Sequence, residues 1–449
     1  MTPATAASRP RQSLPASFGD DAFEAFLRRR DEPEWLIERR RAAFASFQAL
    51  PWPSARDEEW RRTDIRGFKA ADFAPPEAVA VSERDHAAIA PLVAALAGSN
   101  ATGTATINAS TTQRADARTL GGAILVDLPT AVREYPEIVR RYLLTDCVNP
   151  AADALSALHA AFWTNGTLLY VPKGVKLAAP LYSLVALAGA GRVDFDHTLI
   201  VLEDGAEAAL VRETASRRTE ARSALHVGAV EVFVGAGSNL RFVNIQNWDD
   251  DVWHFSRERA LVDAGGSIQW TVGGLGARLA KVNQEVMLRG ERSDAQVNGV
   301  MFTTGRQHLA YFTRQDHAAP HTHSDLLYKG GLLDGSRIVW KGMIRVEKDA
   351  QRTDAYQKND SLLLSEESRA DSIPGLEIEA NDVRCTHGAT AGRVDEDMIF
   401  YAQARGVPRE TAIRLIVEGF FANVYDRITL EPVRETLRQA VAAKLGHGK

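Results

Sequence analysis

Cysteine is almost absent from this sequence: Cys147 and Cys385 are the two in 449 residues. That excludes a disulfide-stapled scaffold, and also a four-thiolate metal site built by this chain alone. Long apolar runs are missing too. No stretch approaches the ~18 uninterrupted apolar residues of a membrane helix, so no membrane partner is expected. There is no basic excess, since 53 Lys+Arg face 58 Asp+Glu for a net charge of −5. A nucleic-acid backbone therefore finds no electrostatic footprint. Residues 1–19, rich in Ala, Ser, Pro and Thr, lack the apolar segment of an export signal. They read as a disordered tail on a cytoplasmic protein. No G-x-x-x-x-G-K-[ST] or G-x-S-x-G motif occurs, and Gly274-Leu-Gly276-Ala-Arg-Leu279 lacks the third glycine of a dinucleotide fingerprint.

What is present is an ordinary folded composition, 45% apolar and 25% charged, in three textures. Residues 20–165 read as a mostly helical N-terminal α/β domain. Phe23, Phe26 and Leu27 open one amphipathic stretch, Trp35 to Ile37 a second that Pro51 and Pro53 close, and His86 to Gly98 a third. A strand over Ala123 to Val126 precedes helical pieces at Thr130 to Asp146, interrupted by Pro136, and Ala151 to Trp163.

From 166 to 392 short apolar or alternating runs follow one another, separated by small-residue turns. Glycines 174, 205, 237 and 266 recur at separations of 31, 32 and 29 in similar contexts. A near-constant period with one turn per unit marks a repeating array. The units hold strands only, which excludes helical repeats, and they lack the aromatic markers of a propeller blade. A β-solenoid fits better than a sandwich. Residues 393–449 become helical again. Ile413, Ile416, Val417, Phe420, Phe421 and Val424 form one continuous apolar face, available either to the end of the solenoid or to a partner, and Pro408 stands at its first turn.

Three clusters suggest chemistry. In Asn381-Asp-Val-Arg-Cys-Thr-His-Gly-Ala-Thr390, Cys385 and His387 lie two apart, so on a strand both project from one face. A thiolate beside an imidazole suits a soft transition metal or persulfide chemistry; a buried cysteine beside a hydrogen-bonded histidine is the plainer alternative. Cys147, at a helix end, reads as a buried structural thiol, so the remaining ligands of any cluster must come largely from another subunit. His317, His321 and His323, with His308 upstream, have spacing that could serve zinc or iron, but Pro320 blocks a helix that would align His317 with His321 and no acidic or thiol partner is fixed by the spacing, so a polar turn of the solenoid is the preferred reading. Asp249, Asp250 and Asp251 with His254 offer a carboxylate group for carbohydrate chemistry, or a solvated turn.

Lys348-Asp-Ala-Gln-Arg-Thr-Asp-Ala-Tyr-Gln357, Leu362-Leu-Leu-Ser365, Ile373-Pro-Gly-Leu-Glu-Ile378, Asp382-Val-Arg-Cys-Thr-His-Gly-Ala-Thr390 and Asp395-Glu-Asp-Met-Ile-Phe-Tyr401 resemble the SufB/SufD family of iron–sulfur cluster assembly proteins. Arg56-Asp-Glu-Glu-Trp-Arg61, Tyr170-Val-Pro-Lys-Gly-Val175 and Gln246-Asn-Trp248 extend the likeness over most of the chain. The cysteine-poor N-terminal third is more similar to SufD than to SufB. The resemblance implies a right-handed parallel β-helix flanked by the N-terminal domain and the C-terminal helices. It implies a non-catalytic scaffold that pairs with a SufB-like paralogue through the β-helix, or with itself when isolated. It also implies an ABC-type ATPase (SufC-like) docked on the C-terminal region, to which the face from Ile413 to Val424 is assigned. Cys385 and His387 are implied to share a nascent, transient iron–sulfur cluster with the partner, and reduced flavin to visit the assembled complex. A SufB-type scaffold and a carbohydrate-active β-helix enzyme are the alternative functions.

Overall fold

The computed structural model describes residues 16–77, 81–97, 102–114, 121–189, 191–217 and 222–447; of the expected tail, residues 1–15 lie outside them. The N-terminal part holds α1 (Asp20–Arg28), α2 (Glu34–Ala49), α3 (Glu83–Ala97), a hairpin of β1 (Gly103–Ile107) and β2 (Ser110–Arg114), β3 (Ile124–Asp127), α4 (Leu128–Glu134), α5 (Pro136–Tyr142) and α6 (Ala154–Phe162). Pro136 does not merely interrupt a helix. It opens α5, where its missing N–H costs nothing. Asp127 and Asp153 cap α4 and α6, each carboxylate accepting a backbone N–H of the first turn.

Sixteen strands then stack in two sheets. One contains β5 (Leu181–Ala188), β7 (Glu207–Arg217), β9 (Asn239–Asn247), β11 (Ser267–Gly274), β13 (Asp294–Thr303), β15 (His323–Leu332), β17 (Asp354–Leu363) and β19 (Arg384–Arg393). The other contains β4 (Asn165–Val171), β6 (Val193–Leu202), β8 (Ala224–Val234), β10 (Val252–Val262), β12 (Leu279–Leu288), β14 (His308–His317), β16 (Arg337–Val346) and β18 (Arg369–Ile378). Each strand pairs in parallel with the strand two places on, as β8–β10–β12 do, so successive coils lie directly over one another. This is a parallel β-solenoid of about eight turns.

The N-terminal region is not a separate body. β1 pairs with β5 and β3 with β4, so its strands extend both sheets. The β1–β2 hairpin escaped the sequence reading because its two short strands carry few large apolar residues.

Period-2 alternation fills the interior with Ile200, Val232, Phe242, Trp270, Tyr311, Tyr328 and Trp340, all buried. The turns stack as well. Glycines 174, 205, 237 and 265 occupy the left-handed region, and each amide donates to a carbonyl one coil on. Beyond Gly265 the same column is continued by Arg292, His321 and Arg352 at positive φ, so the glycine signal fades while the turn persists.

Outward faces are covered on both sides. On the sheet of β6, β8 and β10, Phe195, Leu225, Phe233 and Phe255 pack against Phe162, Leu158 and their neighbours. On the other sheet, α8 (Arg409–Tyr425) and α9 (Glu431–His447), which follow α7 (Glu396–Gln403), cover Val243, Ile245, Phe302 and Leu327. Pro408 is the N-cap of α8 rather than a first-turn residue.

Candidate functional site

The last coil is the site of the thiol and the imidazole. β19 pairs with β17 so that Cys385 lies beside Ala355 and His387 beside Gln357. Ala355 and Gln357 point into the solenoid and are fully buried. Cys385 and His387 continue those two inward columns, but among the described residues no further strand pairs beyond β19. His387 is therefore exposed, and Cys385 is half-buried against Ile344, Val346 and Ala380.

Burial pushes the Cys385 thiol above its ordinary range, and the Asp354 carboxylate adds to that. The free chain thus keeps it protonated, and a metal cation would favour the thiolate. Among the described residues, no third metal-ligating side chain completes a group with the pair. The unpaired edges of β18 and β19 carry half-exposed Leu376 and Ile378, a surface suited to pairing with another chain.

The other candidates separate. His317 is buried, with its ring nitrogens 2.7 Å from Thr322 Oγ1 and 2.8 Å from Ser324 Oγ, and burial, with His323, lowers its pKa to about 3. His321 is a turn residue at positive φ. His323 faces outward onto Asp294 at 2.6 Å. The three histidines point in different directions and form no common ligand set, because strand alternation and the Pro320 turn disperse them. Asp249 to Asp251 form the turn between β9 and β10, with Asp249 near Arg217 at 4.0 Å. Cys147 is fully buried, its Sγ 3.2 Å from the Arg259 carbonyl. Burial first, then Glu231, raises its pKa well above the ordinary thiol range.

The apolar face of α8 is consumed by the fold. Val417, Phe421 and Val424 are buried on the solenoid, and Ile413 and Phe420 pack beside them; Ile416 is half-buried. The assignment of this face to a docked ATPase is corrected accordingly. The exposed apolar side chains of the C-terminal region are instead Met398, Phe400 and Tyr401 on α7 and Leu415 on α8.

A polar cluster that the sequence reading missed occupies the solenoid interior. Asp194, His226 and His254 stand in register on β6, β8 and β10, and Asp196, Gly228 and Ser256 form the adjacent column. From the facing sheet, the Arg212 guanidinium donates to both Asp196 oxygens at 2.8 and 2.7 Å and to Asn244 at 2.8 Å. Asn244 in turn donates to Glu258 at 2.8 Å.

His226 Nε2 lies 2.7 Å from Asp196 Oδ1, and its Nδ1 lies 2.8 Å from His254 Nδ1. Burial works to raise Asp196, but Arg212 and His226 outweigh it and hold the carboxyl well below its ordinary range. Asp194 lacks that clamp, and burial pushes it up. Glu258 rises to about 7, again mainly through burial. The available signal was charged residues at alternate positions in otherwise apolar runs, as in Val193-Asp-Phe-Asp-His197.

The class defined so far is a stacked parallel solenoid with a thiol and an imidazole on its terminal coil. Comparison with known proteins gives that class a family. The core domain described as "SUF system FeS cluster assembly, SufBD core domain" matches residues 185–420, and the "SufBD protein N-terminal region" matches residues 23–182. The chain belongs to the SufBD family of iron–sulfur cluster assembly proteins.

An iron–sulfur cluster assembly SufBD family protein of Staphylococcus saprophyticus is 31% identical over 311 residues, covering 69% of this chain and 66% of the relative. Counterparts from Staphylococcus epidermidis and Staphylococcus aureus are 30% and 29% identical over the same length. No helix among the described residues is long and apolar enough to cross a membrane.

Proposed function

We propose that this chain is a SufD-type, non-catalytic scaffold subunit that supplies Cys385 and His387 to a nascent iron–sulfur cluster completed by a paralogous SufB-like partner. The observation that supports this most is the placement of the pair: two inward columns of the stack emerge at its uncovered end. A thiolate and an imidazole make half of a tetrahedral shell. The partner's terminal coil, paired along β18 and β19, would provide the rest. The cluster is cargo here, assembled and passed on.

The missing P-loop requires a separate ATPase to drive any nucleotide-dependent movement. Its docking surface is the exposed side of the C-terminal region, Met398, Phe400, Tyr401 and Leu415, rather than the buried face of α8. Reduced flavin would act on the assembled complex.

Co-expression with the paralogue and the ATPase, followed by size measurement and anaerobic iron and sulfide analysis, tests the reading. His387→Ala should leave the complex the same size and abolish cluster build-up. Full cluster formation in that variant overturns the proposal. Cluster formation by the chain without a paralogue would assign it the SufB-type role instead.

A further inference from the structure

We infer that the interior cluster of Asp194, Asp196 and His226 is a binding site for a divalent first-row metal ion, separate from the rim pair and enclosed in the middle of the solenoid. Oδ atoms of the two aspartates and a ring nitrogen of His226 lie within 4.8 Å of one another. His226 Nε2 is 2.7 Å from Asp196 Oδ1 and 3.7 Å from Asp194 Oδ2. Ligand atoms around a tetrahedral ion with ~2.1 Å bonds stand about 3–3.5 Å apart, so side-chain shifts of under about 1 Å would seat one.

Two further observations bear on the cluster as a cation site. First, Asp194 Oδ2 is fully buried and has no hydrogen-bond donor, although it faces the same ring nitrogen. Asn165, whose Nδ2 donates to Asp194 Oδ1 at 2.6 Å, has a buried Oδ1 that also lacks a donor, as does Glu258 Oε2. Buried acceptors without donors are costly unless a positive charge serves them.

Second, the ligands close tightly over a glycine. A methyl at Gly228 would lie 2.8 Å from His226 Cε1 and 3.2 Å from Asp196 Oδ1. The backbone there is not in the left-handed region, so the glycine answers to room and not to conformation.

Two carboxylates and an imidazole suit Fe(II), Mn(II), Co(II) or Zn(II) rather than a soft thiophilic ion. His254, hydrogen-bonded to the far nitrogen of His226, would orient that ligand. Metal binding uses the neutral His226 tautomer whose single ring proton is on Nδ1 and is donated to His254 Nδ1, so the Nε2 lone pair is free for the ion and no net proton is released. The cation class follows from the donors alone. Its identity as ferrous ion rests on the proposed role in iron–sulfur assembly.

The test uses the full chain, stripped of metal and titrated anaerobically with Co(II) while visible d–d absorption is recorded. One equivalent should bind, and it should survive in a Cys385→Ser/His387→Ala double variant. Asp194→Asn should weaken it at least 10-fold. Gly228→Ala, which keeps every ligand but crowds the His226 ring and Asp196 out of register, should do the same and covers the case in which Asp194→Asn misfolds. Fe(II) should displace the Co(II) bands. Unchanged titration in folded Asp194→Asn or Gly228→Ala, loss of the bands in the rim double variant, or no binding by the wild type overturns the site. Failure of Fe(II) to compete overturns the ferrous identity. Because the rim variant is scored separately, the site can fail while the scaffold reading stands, and the reverse.

Discussion

The middle coils and the last coil obey the same geometry and yield opposite chemistry. In the middle, Asp196, His226 and Glu258 point inward, and neighbouring coils above and below close over them, so every charge must find its counterpart inside the stack. Arg212 reaches across from the facing sheet for that purpose. At the end, Cys385 and His387 continue inward columns of the other sheet, but among the described residues no strand pairs beyond them. An inward position therefore does not define a buried residue. The stack above it does, and the final coil leaves such positions at the surface.

The largest expected contrast is between the two thiols. Cys385 should alkylate in the native protein, whereas Cys147 should wait for unfolding. We expect their rates to differ by about 10³ or more, read by mass spectrometry of peptides after timed iodoacetamide exposure. Comparable rates would show that the terminal coil is closed.

Next, Phe421→Ala should cost about 3–5 kcal/mol in urea unfolding, because the ring is buried against Phe302. No loss of stability would place α8 off the solenoid and return its apolar face to a partner.

Glu231 ties the N-terminal region to the outside of β8, accepting the amides of Leu144 at 2.7 Å and Val148 at 2.9 Å and pairing with His197 at 3.0 Å. Glu231→Ala strands those donors, and a loss of about 2–3 kcal/mol is expected. A neutral result would mean that this region docks by apolar contact alone.

Per pH unit, the pH dependence is smaller. His317 stays neutral in the fold down to about pH 3, while an unfolded imidazole takes a proton below ~6.5. The unfolded state binds more protons across that window, so stability falls as pH drops through it. One such histidine accounts for at most about 1.4 kcal/mol per pH unit. His317→Gln should flatten the slope below pH 6.5 relative to wild type, and parallel curves would refute the assigned protonation state. Smallest of all, Phe400→Ala should change stability by no more than about 0.5 kcal/mol, because the ring is 72% exposed. Its effect should appear instead as weakened ATPase binding in pull-down.

Much of the stack was legible because its turns repeat and its strands alternate. Both are local properties, set by residues within one coil. The glycine series led as far as Gly266, and the structure carries the same turn onward through Arg292, His321 and Arg352, where composition no longer announces it. His321 is one of these turn residues, as the polar-turn reading of the His317–His323 group expects. The α8 face was recognised as apolar from its period, yet whether it met the solenoid or a partner depends on Phe302 and Leu327, more than eighty residues upstream. The interior cluster was invisible for a related reason: Arg212, Asp196 and Glu258 come together from three strands in two sheets.

By itself the sequence determined the repeating period, the solenoid class, the helical flanks and the fact that Cys385 and His387 share a face, because each depends on spacing along one short segment. Tertiary structure alone decided which inward side chains are enclosed and which emerge, which apolar face is spent on the fold, and that two aspartates and a histidine converge. Those outcomes depend on what lies one coil away, and that distance is about thirty residues along the chain and one strand spacing across the sheet.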